Sequence, residues 1–386
     1  MTRGLDKAEK RRDTRPTQID VPAPIQVAAK QDEMTLSTRP LIFDGHNDVL
    51  LKLYNDGGPS AAESFVTGRA GHIDARRARD GGFGGGFFAV YVPSPPERGF
   101  KMSEMTRDQY ALPLPAPVDQ SVALPIVMRQ AATLFRLEEI GALKVCRTAA
   151  EIRAALADDV IAAIFHIEGA EAIDEDLDTL DVLYRAGLRS IGPVWSRPTI
   201  FGEGVPFVYP SDADIGGGLT DPGKRLVKRC NALRIMVDLS HLNMQGFWDV
   251  ARLSDAPLVA THSNAHAICP HARNLTDDQL RAIADSDGMV GLNFATAFLR
   301  ADGKMLSDVP LTQMIRHLDH LISILGEDRV GLGSDFDGAV VPNDLDSAAG
   351  LPKLRQAMVN AGYNEALIAK LCHENWLRVL EQTWGQ

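Results

Sequence analysis

Residues 40–50 read PLIFDGHNDVL, and this stretch poses the question that decides the fold. An apolar run at 41–43 leads directly into Asp44, His46 and Asp48. Because a strand projects residues i and i+2 to the same side, His46 and Asp48 would face one point in space. Two interpretations are open. The pair is either two ligands of one metal ion or part of a capped turn at the end of a strand.

Eight apolar runs rich in Val, Ile, Leu and Phe recur along the chain. They lie at 41–43, 86–92, 160–167, 188–195, 233–239, 257–262, 289–294 and 329–334. Stretches of helical periodicity separate them, at 179–187, 223–233, 276–287 and 311–326. Alternation of continuously apolar strands with helices predicts a parallel sheet covered by helices. Eight strands in about 300 residues predict an α/β fold, a closed (β/α)8 barrel of the TIM type.

An open doubly wound sheet is the alternative fold. Such a sheet would carry a glycine-rich phosphate turn after an early strand. The glycine-rich segment GGFGGG at 81–86 is expected to precede its strand instead of following it. The barrel is therefore the favoured architecture.

Bulk composition excludes several classes of protein. The chain has 386 residues and a net charge of −11, which argues against a nucleic-acid binder. No apolar run reaches the roughly 18 residues of a membrane span, and the N-terminus lacks the apolar core of a secretory signal. Four scattered cysteines are expected to be reduced, buried thiols. A cytoplasmic location is the default expectation.

The first 38 residues differ in composition from the rest of the chain. They are polar and poor in aromatic residues, so we expect residues 1–38 to be a disordered tail. Residues 39–386 are expected to form a single barrel domain that carries the catalytic site. Met34 is a candidate start, which would make residues 1–33 dispensable.

Side chains that bind metals stand where further apolar runs end. Glu168 follows one run, His241 and His262 mark the ends of two others, and Asp335 follows the last. The carboxyl ends of barrel strands converge on one mouth, where catalytic residues lie. Imidazole and carboxylate ligands without cysteine suit zinc or a neighbouring divalent metal. His46, Asp48, Glu168, His241 and His262 make five ligands, which exceeds the three protein ligands of one catalytic zinc and fits two metals that share a carboxylate.

The combination of motifs resembles the membrane (renal) dipeptidase family, a zinc dipeptidase family of the amidohydrolase superfamily. The resemblance runs from about residue 40 to the C-terminus. It is carried by H-x-D at 46–48, IEGA at 167–170, DLSH at 238–241, THS at 261–263 and GSDFDG at 333–338. It implies a zinc-dependent dipeptidase, a metallopeptidase with a binuclear centre in a barrel of the metal-dependent hydrolase type.

The resemblance also implies a role for individual residues. His46 and Asp48 would bind one zinc, and Glu168 would bridge it to a second. The ligands of that second zinc would be His241 and His262.

Three further positions match or depart from the family pattern. Arg273 matches the binder of the substrate carboxylate, and Asp335 matches the acid–base residue. Trp195 stands where mammalian members carry a His that contacts the scissile group. Either Trp195 shapes the substrate pocket or the register differs here, and Arg197 is a candidate substitute cation.

Two other functions remain open on this scaffold. One is an amidohydrolase-type hydrolase of a lactone, cyclic amide or phosphoester, because a barrel with metals does not fix the substrate. The other is a metal-loaded binding protein without turnover. The resemblance suggests dipeptides as partners, a homodimer and tolerance of a D-residue at the C-terminal side. Nucleic acid and membrane are not expected partners.

Several polar residues have plainer interpretations. His72 and Asp74 form a second H-x-D, but an Arg-rich helical stretch follows, so Asp74 is predicted to be a helix N-cap. His166 is predicted to support the ligands from behind. Asp337 is a second candidate acid, ranked below Asp335 because it lies farther from the strand end.

Overall fold

Short parallel strands and the helices between them make up the described part of the chain. The computed structural model describes Met1, residues 40–95 and residues 101–385, so the predicted tail at 1–38 lies, apart from Met1, outside the described residues. The strands are β1 (Ile42–Asn47), β2 (Phe83–Tyr91), β3 (Tyr110–Ala111), β4 (Lys144–Val145), β5 (Ala162–Glu168), β6 (Leu188–Gly192), β7 (Val208–Tyr209), β8 (Met236–Val237), β9 (Val259–Ala260), β10 (Met289–Asn293) and β11 (Val330–Gly333).

The helices cover the outside of these strands. They are α1 (Val49–Asn55), α2 (Ala62–Thr67), α3 (Ala75–Gly81), α4 (Gln120–Glu139), α5 (Ala149–Ala157), α6 (Asp178–Ala186), α7 (Asp221–Leu233), α8 (Met244–Leu253), α9 (Asp277–Asp285), α10 (Thr296–Leu299), α11 (Leu311–Leu325), α12 (Leu351–Asn360), α13 (Glu365–Ala369) and α14 (Asn375–Trp384). None of the helices in the described part of the chain has the length and apolar character that crossing a membrane requires.

Eight of the strands close into a parallel barrel. The sheet order is β8-β6-β5-β2-β1-β11-β10-β9, and each of these pairings is parallel. The ring closes just beyond β8, where Asp238 pairs with Val259 of β9 and the Leu239 N–H donates to the Val259 carbonyl at 2.9 Å. Every one of the eight predicted strands is present in this ring. The prediction of a TIM-type barrel is confirmed, and the open-sheet alternative is wrong.

The four helical stretches predicted from periodicity correspond to α6, α7, α9 and α11. Helix α9 begins at a capping box in which Thr276 and Gln279 satisfy each other's backbone N–H groups. One expectation was wrong: β2 begins at Phe83, so the glycines at 84–86 lie inside the strand instead of before it.

The amino-terminal end of the barrel is filled with apolar side chains. Trp376 of α14 enters this end, and its indole N–H donates to the Leu332 carbonyl at 3.0 Å. Phe87 packs against the Trp376 ring at 5.2 Å between centroids. Gly45 of β1 permits this packing, because a Cβ there would lie 2.6 Å from the Trp376 ring and 2.2 Å from the Thr261 carbonyl oxygen. The polar candidate site residues, such as His46 in β1 and Glu168 in β5, stand at the opposite, carboxyl end of the barrel.

The predicted cap and the predicted thiols are both present. The Asp74 carboxylate accepts the Arg77 N–H at 2.8 Å at the start of α3, as an N-cap does. All four cysteines are buried and free.

Candidate metal centre

His46 and Asp48 face one point at the carboxyl end of β1. His46 lies in β1, and Asp48 follows it as the N-cap of α1. The Nε2 atom of His46 is 3.3 Å from Oδ2 of Asp48 and 3.7 Å from Oε2 of Glu168. Neither ring nitrogen of this buried histidine has a hydrogen-bond partner among the described residues. Buried polar atoms normally form hydrogen bonds, so an imidazole nitrogen that lies beside carboxylate oxygens but forms none is placed as a metal ligand would be.

Glu168, the last residue of β5, stands between two groups of side chains. While its Oε2 faces His46, its Oε1 lies 3.1 Å from Nε2 of His241 and 3.5 Å from Nε2 of His262. The two Nε2 atoms of His241 and His262 are themselves 3.2 Å apart. The structure therefore brings together all five ligand candidates, with the carboxylate of Glu168 in the middle.

A hydrogen-bonded chain behind His262 fixes its tautomer. The Thr261 hydroxyl donates to Oδ2 of Asp238 at 2.6 Å, so its single proton is already used. The Thr261 oxygen lies 2.8 Å from Nδ1 of His262 and must accept the Nδ1 proton. Nε2 of His262 is then left with a free lone pair that faces Glu168, as a metal ligand requires.

His241 is held in a similar way from behind. It has a left-handed backbone, with φ of +65°. Its Nδ1 lies 2.8 Å from the Ser196 hydroxyl. Burial lowers the pKa of both His241 and His262 well below the usual value, so both rings are neutral near pH 7.

The cluster contains several buried carboxyl groups, which bound cations would stabilise in their ionised form. Burial raises the pKa of the Glu168 carboxyl well above its usual range, and the nearby Asp48 and Asp335 raise it further. Burial opposes a charge on His46, yet Glu168 and Asp48 raise its pKa to about 10. Buried carboxylates are costly unless positive charge compensates them. Donor atoms of two sets, His46–Glu168–His262 and His46–Asp48–Asp335, lie within 4.8 Å of one another, so the site fits divalent metal ions.

Asp335 lies two residues beyond β11 with a left-handed backbone, φ +57°. Its N–H donates to the His46 carbonyl at 3.0 Å, which ties the loop to the metal-ligand candidates. Its Oδ2 accepts from the Asn293 side-chain amide at 3.0 Å. Asp337 has a different environment: its carboxylate accepts from Arg69 at 2.8 Å and from the His72 N–H at 2.7 Å. Asp337 therefore anchors a loop, whereas Asp335 lines the mouth.

Arg273 is buried beside the same cluster, with 3% of its surface exposed. Its guanidinium donates to the Ser263 hydroxyl at 2.7 Å and to the His262 carbonyl at 2.8 Å. Its Nε–H has no acceptor among the described residues. Burial lowers the pKa of Arg273 to about 10, against the pull of Asp335, so the group is still charged at neutral pH.

A cavity of about 290 Å³ opens above the cluster. Its polar wall contains Asp48, Glu168, His241 and Asp335. The rest of the wall is mainly apolar, formed by Leu51, Met102, Met105, Trp195, Phe207, Phe298 and Met305 among others.

Trp195 belongs to this wall, with its ring 5.8 Å from the His241 ring. Arg197 does not, because it is buried behind the wall and donates to Glu171 at 2.6 Å and to Ser94 at 2.9 Å. The alternative that Arg197 offers a free cation to the substrate is therefore wrong.

Two residues at this site were not predicted. Asp238 and Asn293 both stand at the carboxyl end of an apolar run, where each supports another side chain by hydrogen bonds. A polar residue at that position was the available signal. His166, by contrast, lies where support was predicted: its Nδ1 is 2.9 Å from the Ser190 hydroxyl and its Nε2 is 3.7 Å from Asp238.

Comparison with known proteins decides the family. The family model described as membrane dipeptidase (peptidase family M19) matches residues 30–384. The chain belongs to the membrane dipeptidase family. Membership in family M19 confirms the predicted class of enzyme, a metal-dependent dipeptidase, and agrees with the barrel described above.

Individual relatives are similar to this chain over most of their own length. A metallopeptidase from Rhodobacter sphaeroides, solved with a phosphinate mimic of the dipeptide L-Ala-D-Ala, is 54% identical with a TM-score of 0.87, covering 89% of this chain and 99% of that one. The structure of dipeptidase AC, a metallopeptidase of family M19, is also 54% identical, with a TM-score of 0.84 over 90% of this chain and 99% of that one. An uncharacterized protein in the pqqA 5' region of Klebsiella pneumoniae is 50% identical over 68% of this chain and 98% of its own length.

Proposed function

We propose that this chain hydrolyses dipeptides at a centre of two zinc ions. His46 and Asp48 would bind one ion, and His241 and His262 would bind the other. Glu168 would bind both ions. The observation that carries the proposal is the position of Glu168, whose Oε2 faces His46 at 3.7 Å while its Oε1 faces His241 and His262 at 3.1 and 3.5 Å. Five candidate ligands around one carboxylate exceed the three protein ligands of a single catalytic zinc.

The chemistry combines the metal centre with an acid–base residue. Two divalent ions, when bound, lower the pKa of a water molecule and polarise a carbonyl group. Asp335 would take the proton from that water and deliver it to the leaving amine, which is general acid–base catalysis. The hydrogen bond from Asn293 holds one oxygen of Asp335 in place for this transfer.

Arg273 would bind the free carboxylate that every dipeptide carries close to the scissile bond. The residue is charged, and its bonds to Ser263 and His262 fix it against the loop that carries a ligand candidate. A planar guanidinium grips a carboxylate with two parallel hydrogen bonds, which an ammonium group does not do.

The cavity sets the size and character of the substrate. At about 290 Å³ it lies at the lower end of ligand pockets, which favours a dipeptide over longer peptides. Its walls are mainly apolar, Trp195 among them, so we propose that small uncharged side chains fit best. The likeness to the R. sphaeroides enzyme supports acceptance of a D-residue at the C-terminal side.

Arg273→Lys is expected to lower kcat/KM for dipeptides by roughly ten-fold to a few hundred-fold. The variant keeps the charge but loses the planar fork, which corresponds to about 1.5–3 kcal/mol of charged hydrogen bonding. Dipeptide amides lack the carboxylate, so they should be poor substrates of the wild type and lose little more in the variant. Steady-state kinetics on matched dipeptides and amides measures this coupling.

Arg281→Lys is the matched control, because Arg281 pairs with Asp278 on the exposed face of α9. It should leave both substrates unaffected. Equal cleavage of amides and free dipeptides by the wild type would show that the carboxylate is not bound. The chain would then be a hydrolase with some other substrate on the same metal scaffold.

A further inference from the structure

Strands β2 and β5 are parallel neighbours, and they pair residue by residue without a bulge from Gly85–Ala162 to Tyr91–Glu168. Phe87 pairs with Ile164, Ala89 with His166, and Tyr91 with Glu168. Paired residues on neighbouring strands project to the same side of the sheet. Tyr91 therefore occupies the same layer of the barrel as the central carboxylate of the metal-ligand cluster.

The position of Phe87 shows that side chains on this side of β2 point into the barrel. Its ring contacts Trp376 at 5.2 Å inside the amino-terminal end of the barrel. Tyr91 is four residues farther along the strand and thus on the same side, but at the mouth. It lines the cavity together with Glu168 and Asp48.

The Tyr91 backbone is clamped from outside. The Gln130 side chain of α4 accepts the Tyr91 N–H at 3.1 Å and donates to its carbonyl at 2.6 Å. The ring packs edge-on against Trp195 at 5.1 Å between centroids. These contacts hold the backbone and the ring, and they leave the hydroxyl without a hydrogen-bond partner among the described residues.

The cavity has many acceptors and few donors. Asp48, Glu168 and Asp335 present carboxylate oxygens, which accept hydrogen bonds when ionised and do not donate. Peptide hydrolysis places negative charge on the carbonyl oxygen of the scissile bond, and preorganised donors stabilise it. A phenol keeps its proton at neutral pH and is such a donor.

We propose that the Tyr91 hydroxyl donates a hydrogen bond to the carbonyl oxygen of the scissile bond as that oxygen gains negative charge. Tyr91 would then be a catalytic residue that stabilises the oxyanion. No covalent bond to the residue forms, and its proton stays on the phenol throughout. The inference rests on the proposed dipeptidase function.

Tyr91→Phe tests the inference because it removes the hydroxyl and keeps the ring. No described residue forms a hydrogen bond with the hydroxyl, so its removal leaves no described polar group unpaired and the fold should be unchanged. We expect kcat for L-Ala-D-Ala to fall about 100-fold, the effect of losing one oxyanion donor, while KM changes by less than about three-fold.

A binding measurement provides a readout apart from turnover. Calorimetry should show that a phosphinate mimic of L-Ala-D-Ala, which resembles the tetrahedral intermediate, binds Tyr91→Phe about 100-fold more weakly than it binds the wild type. Metal content should be unchanged. Tyr184→Phe on the outer helix α6 is the matched control and should behave as the wild type does.

The outcomes separate the two proposals. If the wild type cleaves dipeptides and Tyr91→Phe equals it in kcat and in phosphinate binding, the hydroxyl is only part of the wall. That result overturns the inference and leaves the proposed function intact. A wild type that is loaded with metal but cleaves no dipeptide would overturn the proposed function and this inference with it.

Discussion

Asp335→Asn is expected to lower kcat for dipeptides about a thousandfold, within the range of general acid–base contributions. The amide has nearly the shape of the carboxylate but cannot take the proton from water and pass it to the leaving amine. KM should change little, because binding of the substrate carboxylate is assigned to Arg273. Steady-state kinetics together with elemental analysis of bound metal measures the effect.

Asp337→Asn is the control for this variant. Asp337 lies two residues farther along the same loop and anchors it through Arg69 and His72. Its loss should lower the unfolding temperature and leave kcat within about three-fold, since a buried ion pair that loses one partner is destabilising. The reverse pattern, with kcat lost in Asp337→Asn and kept in Asp335→Asn, would exchange the roles of the two acids.

Glu168→Gln is expected to reduce bound metal from two ions per chain to one or fewer, with dipeptide hydrolysis falling at least about a thousandfold. The amide keeps the size of the side chain, but it has lost the charge and one of the two oxygens that face His46 and His241. Metal binding depends on deprotonated, charged ligands of this kind. Elemental analysis after gel filtration provides the metal content.

Glu171→Gln serves as the matched control, three residues along the chain. Glu171 is a buried carboxylate as well, but its partner is Arg197. Its replacement should lower stability and leave the metal content at the wild-type value. Two ions retained by Glu168→Gln would remove the bridging role from the proposal.

The strands and the ligand candidates could be predicted because both leave local marks in the sequence. A buried parallel strand appears in the sequence as a continuous apolar run. Where such a strand ends at the mouth of the barrel, a polar residue follows the run. His46, Glu168 and His262 all stand at such breaks. Their convergence was then a consequence of the barrel, although their roles in catalysis stay predictions.

What sequence could not provide depends on contacts between distant segments. Arg197 pairs with Glu171, which lies 26 positions away in the chain. The sequence therefore could not show that Arg197 is buried behind the cavity wall in an ion pair. The layer shared by Tyr91 and Glu168 follows from the register between β2 and β5, and the start of β2 at Phe83 was hidden by glycines. Register is set by packing of whole faces, which no single run displays.

The most direct test of a two-metal dipeptidase is a titration of the wild type. The full chain, freed of metal with a chelator, would receive zinc in steps while the rate of L-Ala-D-Ala hydrolysis is followed. A centre that needs two zinc ions predicts a rate that rises from near zero and becomes constant at two equivalents of zinc per chain. A constant rate from one equivalent onward, or full hydrolysis before any zinc is added, would contradict a two-metal mechanism.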